Sequence, residues 1–584
     1  MEQIFENLPD WIKKRYYAIR EKFKNHSFTF DDASSALQEL YRDSPQQTKL
    51  VLSELKRAGL LKISKNPQDR RQSIYNVLDI LESLPFPEQS PKISKEQLTN
   101  ILKTAADIIR TRVDYTFILL LLFYKALSDK WRYEYETVKQ QLAEKGLNGK
   151  EAVKEASQPY YHTFHFRSEL LWDEIRKDPL KLPENLSRSL KQLSELNPDY
   201  KDIFASFDFH QFTSNQENQI LLNNLFELFS KYSFEKVEED VLGDAYEWIL
   251  KYFAPTKAKE GEVYTPREVI RLMVEILNPG PGQRIYDPAC GSAGMLIVAY
   301  QFVKENFGKE KASTLFLYGQ EQNPRTLALA RMNAILHRIT NIMLVSGDTL
   351  LFPKFKEKDM IKQFDYVIAN PPWNQDGYDQ DTLKRGEYYS NRFPFGAPTK
   401  QSADWAWIQH MISSATEDGK IAVVIDTGAV SRGGREREIR KKVIENDLIE
   451  TVILLPEKLF YNTGAPAVII VLNRNKPEKI KGKVLLINAS KEFVPGKAQN
   501  TLGKENIQKI VEVYKNFEEV EKFSKIITIK DVEEADYNLS PSRFVSVFDQ
   551  ENYRPVEEIK KDLKKLEVEK TKVEEKIWEI LSKF

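Results

Sequence analysis

The sequence predicts an α/β protein, Rossmann-like in its central part, preceded by helical segments and closed by a helical tail. Three observations carry this. Short apolar runs end in acids at Asp287, Glu321 and Asp348, with helical patterns between them. A fourth run, Phe364 to Ala369, stops abruptly at Asn370-Pro371-Pro372-Trp373, where two prolines block continuation of either ladder or helix. From Leu98, apolar residues recur at three-to-four spacing through Ile101, Leu102, Ala105, Ile108 and Ile109, which is helical periodicity.

Taken in order, the chain divides into four units. Residues 1–90 hold amphipathic helices, then Gln47 to Leu61 with Gly59 as a helix stop, then two strand-like runs, Lys62–Ser64 and Gln72–Val77, around the polar turn 65–71. Helix, helix and basic hairpin resemble a winged helix. Lys49 and Lys56 on the helix and Arg70 and Arg71 in the turn are its candidate DNA contacts, with protein contact as the equal alternative. Leu84 to Pro91 reads as a linker. Residues 91–235 are helical, and 236–480 carry the α/β signals, with later strands at Ile421–Ile425, Thr451–Leu455 and Ala467–Leu472. The stretch Asp376 to Lys400, rich in Gly, Tyr, Asp and Arg, is expected to be a mobile loop beside the site. Residues 481–584 form a tail. Its last helix repeats Val556, Ile559, Leu563, Leu566, Lys570, Val573, Ile577, Ile580 and Phe584 at alternating spacings of three and four, a coiled-coil seam with one charged break.

Composition narrows the class. At 584 residues the chain is too long for one core. A single cysteine, Cys290, excludes an internal disulfide framework and fits a reducing, cytoplasmic setting. The acidic opening Met1 to Glu6 lacks the basic region of a signal peptide. The apolar run Phe117–Phe123 is far shorter than the ~20 residues of a membrane span, so no membrane is expected. Basic and acidic residues number 86 each, a balance that is weak for a protein holding DNA alone and suits one that shares the duplex with partners.

The strand-end residues specify a ligand. In Ile285 to Leu296 a short strand, a small-residue turn and a helix start follow one another, with Asp287, Ala289, Gly291, Ser292, Ala293 and Gly294 at the turn. The G-x-G-x-x-G spacing of dinucleotide sites is absent. Asp287 would repel pyrophosphate and accept hydrogen bonds from an ammonium, so a cationic, amino-acid-like cofactor is expected. Glu321 is placed to grip ribose hydroxyls, and Asp348 to meet the edge of an adenine ring. The Asn370 amide oxygen and the Pro371 carbonyl can accept from one exocyclic amino group, while Trp373 offers a stacking face. Alone, the tetrapeptide is as well read as a structural corner. The three acids in successive βα units decide for the base-gripping reading.

These residues resemble an S-adenosylmethionine-dependent DNA amino-methyltransferase, and closely the modification (M) subunit of type I restriction–modification systems. The resemblance extends through Asp240–Glu247, Gly261–Arg267, Phe393–Gly396, Ala403–His410, Arg432–Gly434, Leu459–Gly464 and Tyr537–Arg543. It implies that Glu262, Val263, Tyr264, Thr265, Pro266 and Arg267, with Asp287 to Gly294 and Glu321, hold S-adenosylmethionine, and that Asn370 to Trp373 hold a target adenine. Ala293 and Trp373 are mild departures, standing where many relatives have glycine and Phe or Tyr. The implied reaction is methyl transfer to N6 of an adenine flipped out of double-stranded DNA. The implied partners are a specificity (S) subunit on the C-terminal helix, with docking of that helix onto its own helical domain as the alternative, a second M subunit and a restriction (R) subunit. N4-cytosine methylation uses the same geometry and stays open, as does, more remotely, methylation of protein glutamine. The scattered histidines predict no catalytic metal. No G-x-x-x-x-G-K-[ST] occurs, so cleavage and translocation belong to another chain.

Overall fold

The computed structural model describes residues 10–23, 27–41, 43–65, 73–77, 95–109, 114–144, 147, 149–178, 181–198, 203, 215–234, 237, 239–257, 265–460, 463–497, 499–547 and 556–582. The polar turn with Arg70 and Arg71, the linker, and Glu262, Val263 and Tyr264 lie outside these residues.

The N-terminal unit folds because three amphipathic helices cover one side of a small sheet. Helices Asp10–Phe23, Phe30–Tyr41 and Pro45–Arg57 pack on strands β1 (Phe28–Thr29), β2 (Leu61–Lys65) and β3 (Ser73–Val77), paired antiparallel in the order β1-β3-β2. The third helix starts at a capping box: Ser44 Oγ accepts from the Gln47 N–H at 3.3 Å, and Gln47 Oε1 accepts from the Ser44 N–H at 2.7 Å. Tyr16, Ile19, Leu37, Val51 and Leu55 form the core. Beside it Arg15 and Asp43 pair at 2.5 Å, both buried. Phe316, from the catalytic sheet, packs against this core.

The helical layer comprises Lys95–Ile109, Thr116–Glu144, Leu182–Leu196, Gln216–Ser230 and Glu239–Lys257, with shorter turns between. Its long helix buries the run Phe117–Phe123 completely. Among the described residues no helix is long and apolar enough to cross a membrane. Lys125 sits inside this layer paired to Asp129 at 2.5 Å, and Asp129 also accepts from the Phe234 N–H at 2.8 Å. That buried carboxylate is therefore satisfied on two sides. Leu329, Met332 and Leu336 of the catalytic helix Pro324–Leu336 belong to the same core, so the helical layer and the catalytic sheet are one packed body.

The catalytic sheet is built from β4 (Arg284–Asp287), β5 (Phe316–Glu321), β6 (Ile342–Ser346), β9 (Phe364–Ala369), β10 (Ala415–Asp426), β11 (Ile449–Leu454), β12 (Ala467–Asn473), β13 (Lys483–Asn488) and β14 (Ser524–Thr528); β7 (Lys356–Glu357) and β8 (Met360–Ile361) form a separate small hairpin. The order is β14-β13-β11-β12-β10-β9-β4-β5-β6. Strands β6, β5, β4, β9 and β10 are parallel neighbours, and β12 runs antiparallel to both β10 and β11. Helices cover both faces, which is why β11 and β12 are buried along their whole length and read as unbroken apolar runs. The sheet does not stop at residue 480, where the sequence suggests an end to the catalytic unit. β13 pairs parallel to β11 and β14 antiparallel to β13, extending the same sheet.

The chain winds outward from β4 to β6, then returns to place β9 on the other side of β4. At that reversal the connections after β4 and β9 diverge and leave a crevice beyond the strand C-termini. Both site turns open there.

Candidate functional site

β4 delivers Asp287 at its last position, fully buried. The turn that follows is held to β5 from behind: the Cys290 N–H donates to the Gln320 carbonyl at 3.0 Å. Gly319 makes this approach possible, since a Cβ there would lie 2.8 Å from Cys290 Sγ and 2.6 Å from Leu344 Cδ2. Gly291 and Ala293 both take positive φ, 52° and 64°. Ala293 thus carries strain that glycine would not, at the cap of helix Gly294–Phe307.

Asp287 Oδ1 accepts from the Ala289 N–H at 3.0 Å. Burial, with the nearby charge of Glu321 adding to it, pushes the Asp287 carboxyl up to about 8. Glu321 Oε2 accepts from the Gly291 N–H at 3.0 Å and Oε1 from the Asn323 N–H at 2.7 Å. Glu321 therefore shapes the turn, and neither it nor Asp348 is among the residues lining the cleft at that turn. Asp348 accepts from the Leu351 N–H at 3.1 Å and from the Tyr378 hydroxyl at 2.9 Å.

A cleft brings several of these groups together: Thr265, Arg267, Asp287, Ala289, Gly291, Ser292, Gly294 and Asn370 line it, with Glu247 and Asn333. Arg267 is held by Glu247 and by Gln301 Oε1 at 2.5 Å. Asn333 is wholly buried: its Nδ2 donates to the Ser292 carbonyl at 3.0 Å, while its Oδ1 has no hydrogen-bond partner. An unmatched buried acceptor beside a buried acid suits a ligand that brings N–H donors and positive charge. The amino-acid portion of S-adenosylmethionine has that chemistry, so the donor set fits the group. Sequence reasoning missed Glu247 and Asn333 as cleft residues. Both sit inside helices, Glu239–Lys257 and Pro324–Leu336, where no strand end or turn marks them.

The second turn leaves β9. Asn370 is half-buried, Pro371 buried, Pro372 exposed and Trp373 half-buried. Trp373 packs edge-to-face on Phe460, centroids 4.9 Å apart. Its indole Nε1–H donates to Asn370 Oδ1 at 2.8 Å, and Asn370 Nδ2 donates to Thr265 Oγ1 at 2.7 Å. The amide oxygen is thus already engaged on one side, which the sequence did not reveal. Behind the turn, the Asn374 N–H donates to Asp404 Oδ1 at 2.9 Å. Arg432 ties Asp404, Asp426 at 3.1 Å, Glu436 at 2.7 Å and the Asn374 side chain together. These contacts brace the turn against β10 and the helices Asp404–Ser413 and Gly434–Glu445.

The expected mobile loop, 376–400, is pinned instead. It forms two short helices, Gln380–Leu383 and Tyr389–Arg392, with Leu383 and Phe393 buried. The wholly buried Arg392 guanidinium donates to the carbonyls of Thr349 at 2.7 Å and Leu350 at 2.8 Å, and to His410 Nδ1 at 3.1 Å. A composition rich in polar and turn residues looked loose, but one of its two arginines, Arg392, is an internal rivet.

Lys49 and Lys56 are exposed on the third N-terminal helix, away from this crevice in sequence and unit. Among the described residues no three or more His, Cys, Asp and Glu gather as a metal site would require.

Residues 237–553 match the N-6 DNA Methylase family and residues 98–229 the HsdM N-terminal domain. The chain is 40% identical to the type I restriction enzyme MjaVII methylase subunit of Methanocaldococcus jannaschii, over 99% of this chain and 97% of that protein. It is equally 40% identical to the MjaVIII methylase subunit of the same organism, over 96% and 95%. Among solved structures, the type I restriction–modification methyltransferase subunit from Streptococcus thermophilus superposes with a TM-score of 0.69 at 29% identity, covering 77% of this chain and 99% of that one. The chain therefore belongs to the N-6 DNA Methylase family, among the methylase subunits of type I restriction enzymes.

Proposed function

We propose that this subunit binds S-adenosylmethionine at the β4 and β5 turns and holds a flipped adenine at Asn370 to Trp373. The cofactor, when bound, supplies an electrophilic methyl group. Asp287 and Asn333 Oδ1 would accept from its amino-acid end, Glu321 from its ribose hydroxyls and Asp348 from its ring edge, with Glu262 to Arg267 also among its holding residues. Extracting adenine from the duplex costs a few kcal/mol. Trp373 recovers about 1–3 kcal/mol by stacking. Asn370 Oδ1 and the Pro371 carbonyl accept the two N6 hydrogens, which turns the nitrogen lone pair toward the methyl group. Rate then comes from alignment, with no covalent nucleophile. Cys290 lies within the cofactor turn, buried, and its thiol is pushed far up by that burial, unsuited to attack.

The observation that carries this reading is the convergence of a buried acid, an orphan acceptor and Asn370 on one cleft. Asn370→Ala should abolish methyl transfer while leaving S-adenosylhomocysteine affinity nearly unchanged by calorimetry. Full activity in that variant would break the reading. Mass analysis of the methylated nucleoside separates N6-adenine from N4-cytosine.

We further propose that the N-terminal unit is a winged helix, supported by its three-helix, three-strand order β1-β3-β2. Lys49, Lys56, Arg70 and Arg71 would be its phosphate contacts. The C-terminal helix is proposed to pack on a helix of the specificity subunit, in a complex with a second methylase subunit and a restriction subunit. Its apolar stripe supports this, being exposed on its own chain: Ile559, Leu563, Leu566, Val573 and Ile577 all face outward.

A further inference from the structure

An asparagine amide carries an oxygen at one end and an NH2 at the other, in nearly the same shape. Only one sense serves an amino-bearing base. The oxygen must face N6, because an NH2 there would oppose the base's own N–H groups. Two side chains fix that sense at Asn370. The Trp373 indole N–H, 2.8 Å from Oδ1, can only donate. A reversed amide would set N–H against N–H and lose this bond. The Thr265 hydroxyl, 2.7 Å from Nδ2, can accept or donate and so follows whichever end it meets. Trp373 therefore decides the sense, and Thr265 holds the far end.

We propose that Trp373 and Thr265 are positioning residues that lock the Asn370 amide with its oxygen toward the target base, an inference that rests on the base-clamp reading above. The amide oxygen has two lone pairs, so after accepting from the indole it keeps one for N6. Trp373 thereby has two uses that a phenylalanine could not combine: a ring to stack on and a donor to orient the amide. Its ring is steadied by the edge contact to Phe460, at an interplanar angle of 69°. Thr265 adds a second consequence. It belongs to the segment 262–267 expected at the cofactor, yet its hydroxyl is spent on a residue 105 positions away. The bond joins the cofactor-side segment to the base clamp, so ordering one steadies the other.

The test uses the complex with its specificity partner on a duplex containing the target adenine, comparing Thr265→Val, Thr265→Ser, Trp373→Phe and the Val/Phe double variant. Three quantities are read: single-turnover methylation rate, S-adenosylhomocysteine affinity by calorimetry, and fluorescence of 2-aminopurine placed at the target. 2-Aminopurine has no 6-amino group, so its extrusion does not depend on the Asn370 oxygen. Loss of one orienting hydrogen bond should slow methylation roughly tenfold in Thr265→Val and in Trp373→Phe, with the flipping signal unchanged and cofactor affinity lowered far less than the rate. Thr265→Ser should restore the rate, and the double variant should be slowed less than the product of the two single effects, because both act through Asn370. Unchanged rates in Thr265→Val and Trp373→Phe would overturn the proposal. So would a rate loss in Thr265→Val matched by an equal loss of cofactor affinity, which would make Thr265 a cofactor contact only. Trp373→Phe carries the test if Thr265→Val does not fold. A wild-type complex that methylates no adenine would instead overturn the clamp reading itself.

Discussion

At the scale of single residues the site is set by where acids are buried. Asp287 titrates at about 8 in the fold because burial disfavours its charge, against an ordinary value of 3.8. The sign follows from linkage. Below pH ~4 the group is protonated both folded and unfolded. As pH rises to about 8, only the unfolded chain releases its proton, so stability is lost across that window and the loss is complete above it. Thermal melting of the cofactor-free protein should therefore fall more steeply between pH 5 and pH 8 (roughly the upper part of that window) than that of Asp287→Asn. Added S-adenosylmethionine should flatten the wild-type curve by stabilising the carboxylate. Identical slopes in both proteins would contradict the assignment. Asp287, Glu321 and Asp348 were legible in the sequence because a strand end followed by a turn is a local pattern. Asn333 and the Trp373–Asn370 bond were not, because they depend on which helix and which ring arrive from elsewhere in the chain.

Among elements, close packing decides what pattern alone could not. Helix Glu239–Lys257 meets the end of helix Pro324–Leu336 at Gly243, where a Cβ would lie 2.2 Å from the His337 ring. The same helix carries Tyr246, whose hydroxyl donates to the Leu329 carbonyl at 2.9 Å, and Glu247, which lines the cleft. Gly243→Ala should force these helices apart, costing about 1–3 kcal/mol in stability, and should weaken cofactor binding through displaced Glu247 and Arg267; unfolding and calorimetry measure the two effects. The C-terminal helix, Val556–Leu581, raises the opposite case. Its seam was legible as a three-four repeat, and Trp578, 72% exposed, stands beside it. Leu563→Asp with Leu566→Asp should abolish co-purification of the specificity partner while leaving cofactor affinity intact, since neither side chain packs on the catalytic core. The sequence missed β1 because two residues carry no periodicity. It stopped short of β13 and β14 because strand pairing across a sheet edge is not written in either strand alone.

For the whole molecule, zero net charge shapes how DNA can be held. Affinity from phosphate neutralisation must be local or shared. The N-terminal unit meets the catalytic sheet at Phe316, the first residue of β5, whereas the site opens at Glu321, its last. The strand between them spans about 17 Å at ~3.3 Å per residue. Arg70→Glu with Arg71→Glu should weaken DNA binding by the complex and flatten its salt dependence if the unit contacts phosphate. Unchanged affinity and slope would assign the unit to protein contact.

By itself, the sequence determined the α/β class, the strand-end acids, the Asn-Pro-Pro-Trp turn and the C-terminal helix, because each is a short-range pattern in which neighbours along the chain dictate one another. Only the tertiary structure decided that the sheet runs on to β14, that Arg392 rivets the segment 376–400, and that Asn370 is held between Thr265 and Trp373. Those depend on groups distant in sequence meeting in space, where burial and donor–acceptor matching choose partners that no local window contains.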